Sequence, residues 1–199
     1  MTERRSSNSD IMIITSPTDE RTVRSLRTGQ TVYVSGSLIT GRDKVHMRAL
    51  SSEKVPKVLY NSTLFHCGPI MKKEKNKWAV VAAGPTTSAR LNDLEAEMIR
   101  RFGIKIIIGK GGMSSDVLEA MKENGCVYLA AIGGAAVSLA ECVTETKGVE
   151  WEDLGMAEAM WLFSTERFGP LVVAMDANGN SIYDDVNSKV NETLKRYQF

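Results

Sequence analysis

Two aliphatic runs too apolar to alternate bracket one amphipathic helical pattern in the middle of the chain, and few folds accept that arrangement. The first run is residues 78–83 (Trp-Ala-Val-Val-Ala-Ala) and the second residues 104–108 (Ile-Lys-Ile-Ile-Ile). Between them Leu91, Leu94, Met98 and Phe102 share one helical face, Asn92 and Asp93 occupy the first turn, where the helix dipole favours acidic groups, and Gly103 is the stop. Strands buried on both faces are typically parallel neighbours, and parallel neighbours need a crossover connection. The pattern predicts two adjacent parallel strands joined by a helix, their carboxyl ends on one edge, where open α/β sheets bind ligands.

That edge receives two polar loops. Residues 84–90 (Gly-Pro-Thr-Thr-Ser-Ala-Arg) offer hydroxyls and free backbone NH groups ahead of a helix, with the Arg90 fork of donors beside them. Residues 109–112 (Gly-Lys-Gly-Gly) let backbone come close around Lys110. Thr86, Thr87, Ser88, Arg90 and Lys110 thus form a candidate anion site. The plainer reading, turn-forming glycines with solvated charges, stays open for either loop alone. A nucleotide loop fits less well, because Gly111 follows Lys110 where a phosphate-binding loop wants Ser or Thr, and Ser114 stands where a third glycine of a dinucleotide fingerprint would be.

Upstream, Thr40 reads as the N-cap of a helix from Gly41 with Val45, Ala49 and Leu50 inward. Arg42 then sits in the first turn, a poor place for a cation unless it meets an anion, whether a ligand, Asp43 or a carboxylate elsewhere. Asp43 and His46 are candidates for supporting such a site, although a hydrogen-bonded structural histidine is an equal reading for His46 and for His66.

Lys and Arg total 25 against 24 for Asp and Glu, so a net charge of +1 gives no global field to attract nucleic acid or an anionic membrane. The lysine-rich stretch 72–77 reads as a solvated edge guard. No apolar run is long enough to span a bilayer, and the polar residues 1–10 read as a flexible tail rather than a secretory signal. The expectation is one domain over residues 11–199 in the cytoplasm. Cys67, Cys126 and Cys142 match neither a disulfide framework nor a zinc pattern. They read as small buried hydrophobes, the alternative being three ligands of an iron–sulfur cluster.

Further strands are expected at 11–15, 31–35, 63–67, 126–131 and 143–151, with helices at 18–26, from Ser115 to 124 and at 133–140. A last helix aligns Val186, Val190, Leu194 and Tyr197, after an Asn-Gly turn at 176–180. The fold class is α/β, a buried and largely parallel sheet with covering helices.

Several ordered motifs together resemble a known family. Residues 40–46 (Thr-Gly-Arg-Asp-Lys-Val-His), 65–70 (Phe-His-Cys-Gly-Pro-Ile), 84–90, 109–113, 129–136, 153–156 (Asp-Leu-Gly-Met) and 168–176 are similar to the β subunit of iron–sulfur (class I) fumarate hydratase and its sister, L(+)-tartrate dehydratase. The likeness is nearest to two-subunit fumarate hydratases. It implies a three-layer β/β/α swivelling domain and a hydro-lyase that interconverts fumarate and L-malate, or dehydrates tartrate. It also implies that Arg42, Arg90 and Lys110 hold the dicarboxylate and that Thr86 transfers a proton, so that Thr86 and Lys110 are the expected catalytic pair, while Thr86 and Thr87 of the anion site are expected to join the substrate contacts. A [4Fe–4S] cluster would come from a larger α subunit and no metal from this chain, in a homodimer or α2β2 assembly, so the chain alone would be half an active site.

Overall fold

The computed structural model describes residues 12–75 and 77–197. The expected tail at 1–10 lies outside the described residues. The chain runs β1 (Met12–Ser16), α1 (Glu20–Ser25), β2 (Thr31–Gly41), α2 (Asp43–Ser51), β3 (Thr63–His66), β4 (Ile70–Glu74), β5 (Lys77–Ala82) and α3 (Asn92–Phe102). It continues through β6 (Ile106–Gly109), α4 (Ser115–Asn124), β7 (Val127–Ala131), α5 (Ala136–Glu141), β8 (Val143–Glu150), β9 (Met160–Met175) and α6 (Ile182–Tyr197). Gly103 and Gly125 close α3 and α4 in the left-handed conformation, as glycines after a helix do.

The architecture is mixed α/β around one large sheet of order β1-β2-β3-β6-β7-β9-β8. The first five strands in that order are parallel, and β9 is antiparallel to both β7 and β8. β9 also pairs antiparallel with β2, so β2, β3, β6, β7 and β9 close in the manner of a small barrel. The sequence pattern did not announce that closure, which depends on the two long strands β2 and β9 pairing with each other.

Side chains alternate across the parallel strands. Phe65, Ile106, Ile108, Val127 and Leu129 join a core with Val32, Trp161, Phe163 and Phe168. Leu64, Ile107 and Tyr128 point the other way, into a second core under Met98, Ile99, Phe102, Val117 and Met121 of α3 and α4. Burial on both faces explains the uninterrupted apolar runs.

The partner expected for β6 is not the one found. Residues 78–83 supply β5, which pairs antiparallel with β4 in a separate two-stranded sheet, whereas the parallel neighbours of β6 are β3 and β7. The β4–β5 hairpin lays Met71, Trp78 and Val80 on the core and carries the lysines outward, Lys73 Nζ lying 5.6 Å from the Trp78 ring centre. Thr40 is not a cap either. It lies within β2, one residue before its end, where its hydroxyl accepts from the Trp161 amide at 3.0 Å and donates to the Ala159 carbonyl at 3.3 Å. α2 begins at Asp43 with Arg42 as its extended N-cap residue. Among the described residues no helix is long and apolar enough to cross a membrane.

Candidate functional site

Three adjacent parallel strands end side by side: β2 at Gly41, β3 at His66 and β6 at Gly109. Beyond them the chain builds a rim. Although β5 is not in the sheet, the segment after it is drawn in between the continuations of β3 and β6. Pro85 bridges Cys67 antiparallel and Thr87 bridges Lys110 parallel. The Thr86 amide donates to the His66 carbonyl at 2.7 Å, Ser88 donates to the Lys110 carbonyl at 3.1 Å, and Lys110 donates back to the Thr86 carbonyl at 3.3 Å. The two loops expected to meet do meet, by a route the apolar runs did not reveal.

Arg90, in the 3-10 turn Ser88–Leu91, reaches across to α2. Its Nη2 donates to Asp43 Oδ2 at 3.0 Å and to Thr86 Oγ1 at 3.1 Å. Arg42 sits beside Gly68, where a β-carbon would stand 2.5 Å from the guanidinium Nη1. Its Nε is 3.4 Å from Glu158 Oε1, buried and without a hydrogen bond. Part of the plainer reading of Arg42 therefore holds, since a carboxylate from elsewhere is its neighbour. Arg42, Asp43, Thr86, Thr87, Arg90 and Lys110 all belong to one edge of the sheet.

Beneath this rim runs a buried chain of polar groups. His46 Nδ1 lies 2.8 Å from the Arg42 carbonyl and His46 Nε2 2.7 Å from Glu95 Oε2. The same carboxylate oxygen is 3.1 Å from His66 Nε2, and His66 Nδ1 is 2.8 Å from the Ser88 hydroxyl, to which Tyr128 donates at 2.9 Å. Carbonyl and carboxylate oxygens accept, so both His46 nitrogens carry protons. His66 donates from Nε2 and accepts the Ser88 proton at Nδ1, which leaves it neutral.

The titration directions agree with this assignment. Burial opposes the charge on His46, but the Glu95 carboxylate and the Arg42 carbonyl overcome it, and the pKa is raised. Burial dominates at His66, lowering its pKa. Burial also works against the Glu95 carboxylate, yet the two histidines draw its pKa down to about 2. The donor atoms of His46, His66 and Glu95 lie within 4.8 Å of one another, close enough to hold a metal ion. The hydrogen bonds already occupy every one of those atoms except Glu95 Oε1.

The family model described as Fumarase C-terminus matches residues 1–186. The chain belongs to that family. A 46% identical protein of Methanocaldococcus jannaschii, provisionally named L(+)-tartrate dehydratase subunit beta, aligns over 88% of this chain and 92% of its own length. The L(+)-tartrate dehydratase subunit beta of Escherichia coli is 36% identical over 85% of each chain. A protein of Geobacillus stearothermophilus, provisionally named fumarate hydratase class I, is 40% identical over 97% of this chain but only 38% of its own length. This Fumarase C-terminus chain thus corresponds to a minor part of that longer relative.

The cysteines of this family member do not fit an iron–sulfur cluster. Cys67 and Cys126 belong to different apolar cores, and burial raises the pKa of each thiol, against the thiolate a cluster needs. Glu95, Glu158, Tyr128 and Gly68 went unread as site residues, and Ser88, expected to face an anion, is instead fully buried with its hydroxyl between His66 and Tyr128. Glu95 carries the ordinary signature of an acidic first helical turn, and nothing local to it says that histidines 49 and 29 residues earlier will meet it.

Proposed function

We propose that the chain is the β subunit of a hydro-lyase acting on a four-carbon dicarboxylate, of the fumarate hydratase type. One arrangement carries the reading: two guanidinium groups, an ammonium-bearing loop and a threonine hydroxyl brought to the ends of three adjacent parallel strands. Dehydration of malate removes a proton beside one carboxylate and hydroxide from the neighbouring carbon, so negative charge builds on that carboxylate. Arg42, Arg90 and Lys110 hold the two carboxylates and oppose that charge, each charge-assisted hydrogen bond contributing roughly 1.5–3 kcal/mol.

Thr86 Oγ1 exchanges the carbon-bound proton. A hydroxyl is a weak base, and the Arg90 guanidinium at 3.1 Å favours its deprotonated form. The departing hydroxide calls for a Lewis acid, which we assign to an open iron of a [4Fe–4S] cluster on a larger α subunit. The longer relative, of which this chain matches 38%, has further sequence where this chain would need a partner subunit, and that supports the reading. Part of the curled sheet, with Trp161, Phe163 and Phe168 of β9, covers one face of the parallel strands and helices α3 and α4 cover the other, which supports the β/β/α swivelling reading.

Tartrate dehydration is the second reading, favoured by the names of the relatives that match this chain over most of both lengths. The test is co-expression with the larger subunit under anaerobic conditions, then assay on fumarate, L-malate and L-tartrate. Turnover of fumarate by the complex and none by the isolated chain is expected. Turnover of tartrate alone selects the second reading, and activity of the isolated, metal-free chain or of the complex on none of the diacids overturns both.

A further inference from the structure

The buried chain under the rim has no role in gripping the dicarboxylate, yet it joins the two pieces of backbone that do. At one end His46 holds the carbonyl of Arg42; at the other the Ser88 hydroxyl is held between His66 and Tyr128, two residues beyond Thr86. Five separate elements contribute: α2, β3, the Ser88–Leu91 turn, α3 and β7. Apart from Glu95 Oε1, every side-chain nitrogen and oxygen in it has a partner, and His46, His66, Ser88 and Glu95 are all fully buried.

An ion pair is an expensive way to fill a core. Apolar residues of the same volume often give equal or greater stability, so a retained buried pair points to definition of geometry rather than to stability. Gly109 is part of the same construction, since a β-carbon there would stand 2.0 Å from Ser88 Oγ and 2.9 Å from the Tyr128 hydroxyl.

We propose that Glu95 is a positioning residue: by accepting from both His46 and His66 it fixes the Arg42–Asp43 corner relative to the Thr86–Ser88 segment, and so sets the spacing of the groups that grip the substrate. The substrate-binding part of this rests on the function proposed above; the mechanical coupling does not. The charge assignment supports it, with one imidazolium and one carboxylate facing each other and a neutral His66 passing the restraint to Ser88. The other ionisable neighbours are Asp43, which favours charge on both histidines, and the un-ionised Tyr128 and Cys126.

The experiment compares wild type with Glu95→Gln, and with Ser88→Ala as a milder break should the first not fold. Amide hydrogen exchange of the isolated chain is the first readout, and steady-state kinetics of the α–β complex the second. The amides of Thr86, Ser88 and Lys110 are expected to exchange about tenfold faster in either variant, while those of Leu118 and Val127 keep their wild-type rates. In the complex, KM for the diacid rises about tenfold or more, kcat changes less, and Glu95→Asp recovers part of the loss. Unchanged exchange at those three amides, or equal acceleration throughout the molecule, overturns the proposal. A wild-type complex inactive on every diacid defeats the proposed function instead and leaves the exchange result to decide this one.

Discussion

Gly109 has no room for a side chain because the Ser88 hydroxyl fills the place, 2.0 Å from where a β-carbon would be. The glycine was expected to let backbone come close around Lys110; its constraint instead comes from behind the rim. Gly109→Ala must displace Ser88 from His66 and Tyr128, and overpacking of this kind costs roughly 1–3 kcal/mol. Urea denaturation should register that loss. Adding Ser88→Ala removes the nearest clash, so the double variant should be more stable than the sum of the single effects implies. Strict additivity would mean that the two side chains do not compete for that space.

Gly68 plays the corresponding part for Arg42. A β-carbon there would stand 2.5 Å from Nη1, 2.8 Å from Cδ and 2.6 Å from the Ala157 carbonyl. The guanidinium can yield more readily than the backbone, so Gly68→Ala should move Arg42 off its position. In the α–β complex we expect a rise of about tenfold in KM, the loss of one charge-assisted hydrogen bond, with a smaller change in melting temperature than Gly109→Ala produces. A normal KM would detach Arg42 from substrate binding.

How much of this was legible beforehand divides along physical lines. Strands buried on both faces announce themselves, and β3, β6 and β7 lie where apolar runs predicted them, within a residue or two. Which strand lies next to which does not follow from apolarity: β5 has the same composition as a central strand but covers the core from a separate hairpin. The face of α6 was also read correctly as a pattern, yet Val186, Val190 and Leu194 are 57%, 48% and 55% exposed. Among its described side chains, those packed on the core are Ile182 and Tyr183 of the first turn. The rim residues were legible because hydroxyls, glycines and cations cluster locally in sequence. The charges beneath them were not, because His46, His66 and Glu95 meet only through the tertiary fold.

Those buried charges predict a stability optimum. His46 has a raised pKa, so its contribution is full below the ordinary histidine value of 6.5 and is lost as pH rises through its folded value. His66 has a lowered pKa, and its contribution is full above 6.5 and falls away as pH drops toward its folded value. Glu95 adds stability above its ordinary value of 4.5 that disappears as pH falls toward about 2. Unfolding free energy from urea titrations should therefore peak near pH 6.5 and decline on both sides, the acid side more steeply. Glu95→Gln should flatten the curve on the acid side, and a wild-type curve rising steadily to pH 9 would contradict a protonated His46.

Arg90, finally, separates binding from stability. Its bonds to Asp43 and Thr86 join partly solvated side chains, 45% exposed on Arg90 and 34% on Asp43, and such surface pairs contribute at most about 1 kcal/mol. Arg90→Ala should therefore leave the unfolding free energy within that margin. Its effect on the reaction should be much larger, because a charged donor facing a substrate carboxylate and the Thr86 hydroxyl is worth roughly 1.5–3 kcal/mol, a loss of about 10- to 150-fold in kcat/KM. Arg90→Lys should recover little of it, since one ammonium cannot span Asp43 and Thr86 as the planar fork does. Denaturation curves and complex kinetics measured on the same preparations decide the matter. A destabilised variant with wild-type kcat/KM would make Arg90 a surface ion pair and remove the guanidinium that this mechanism sets against Thr86.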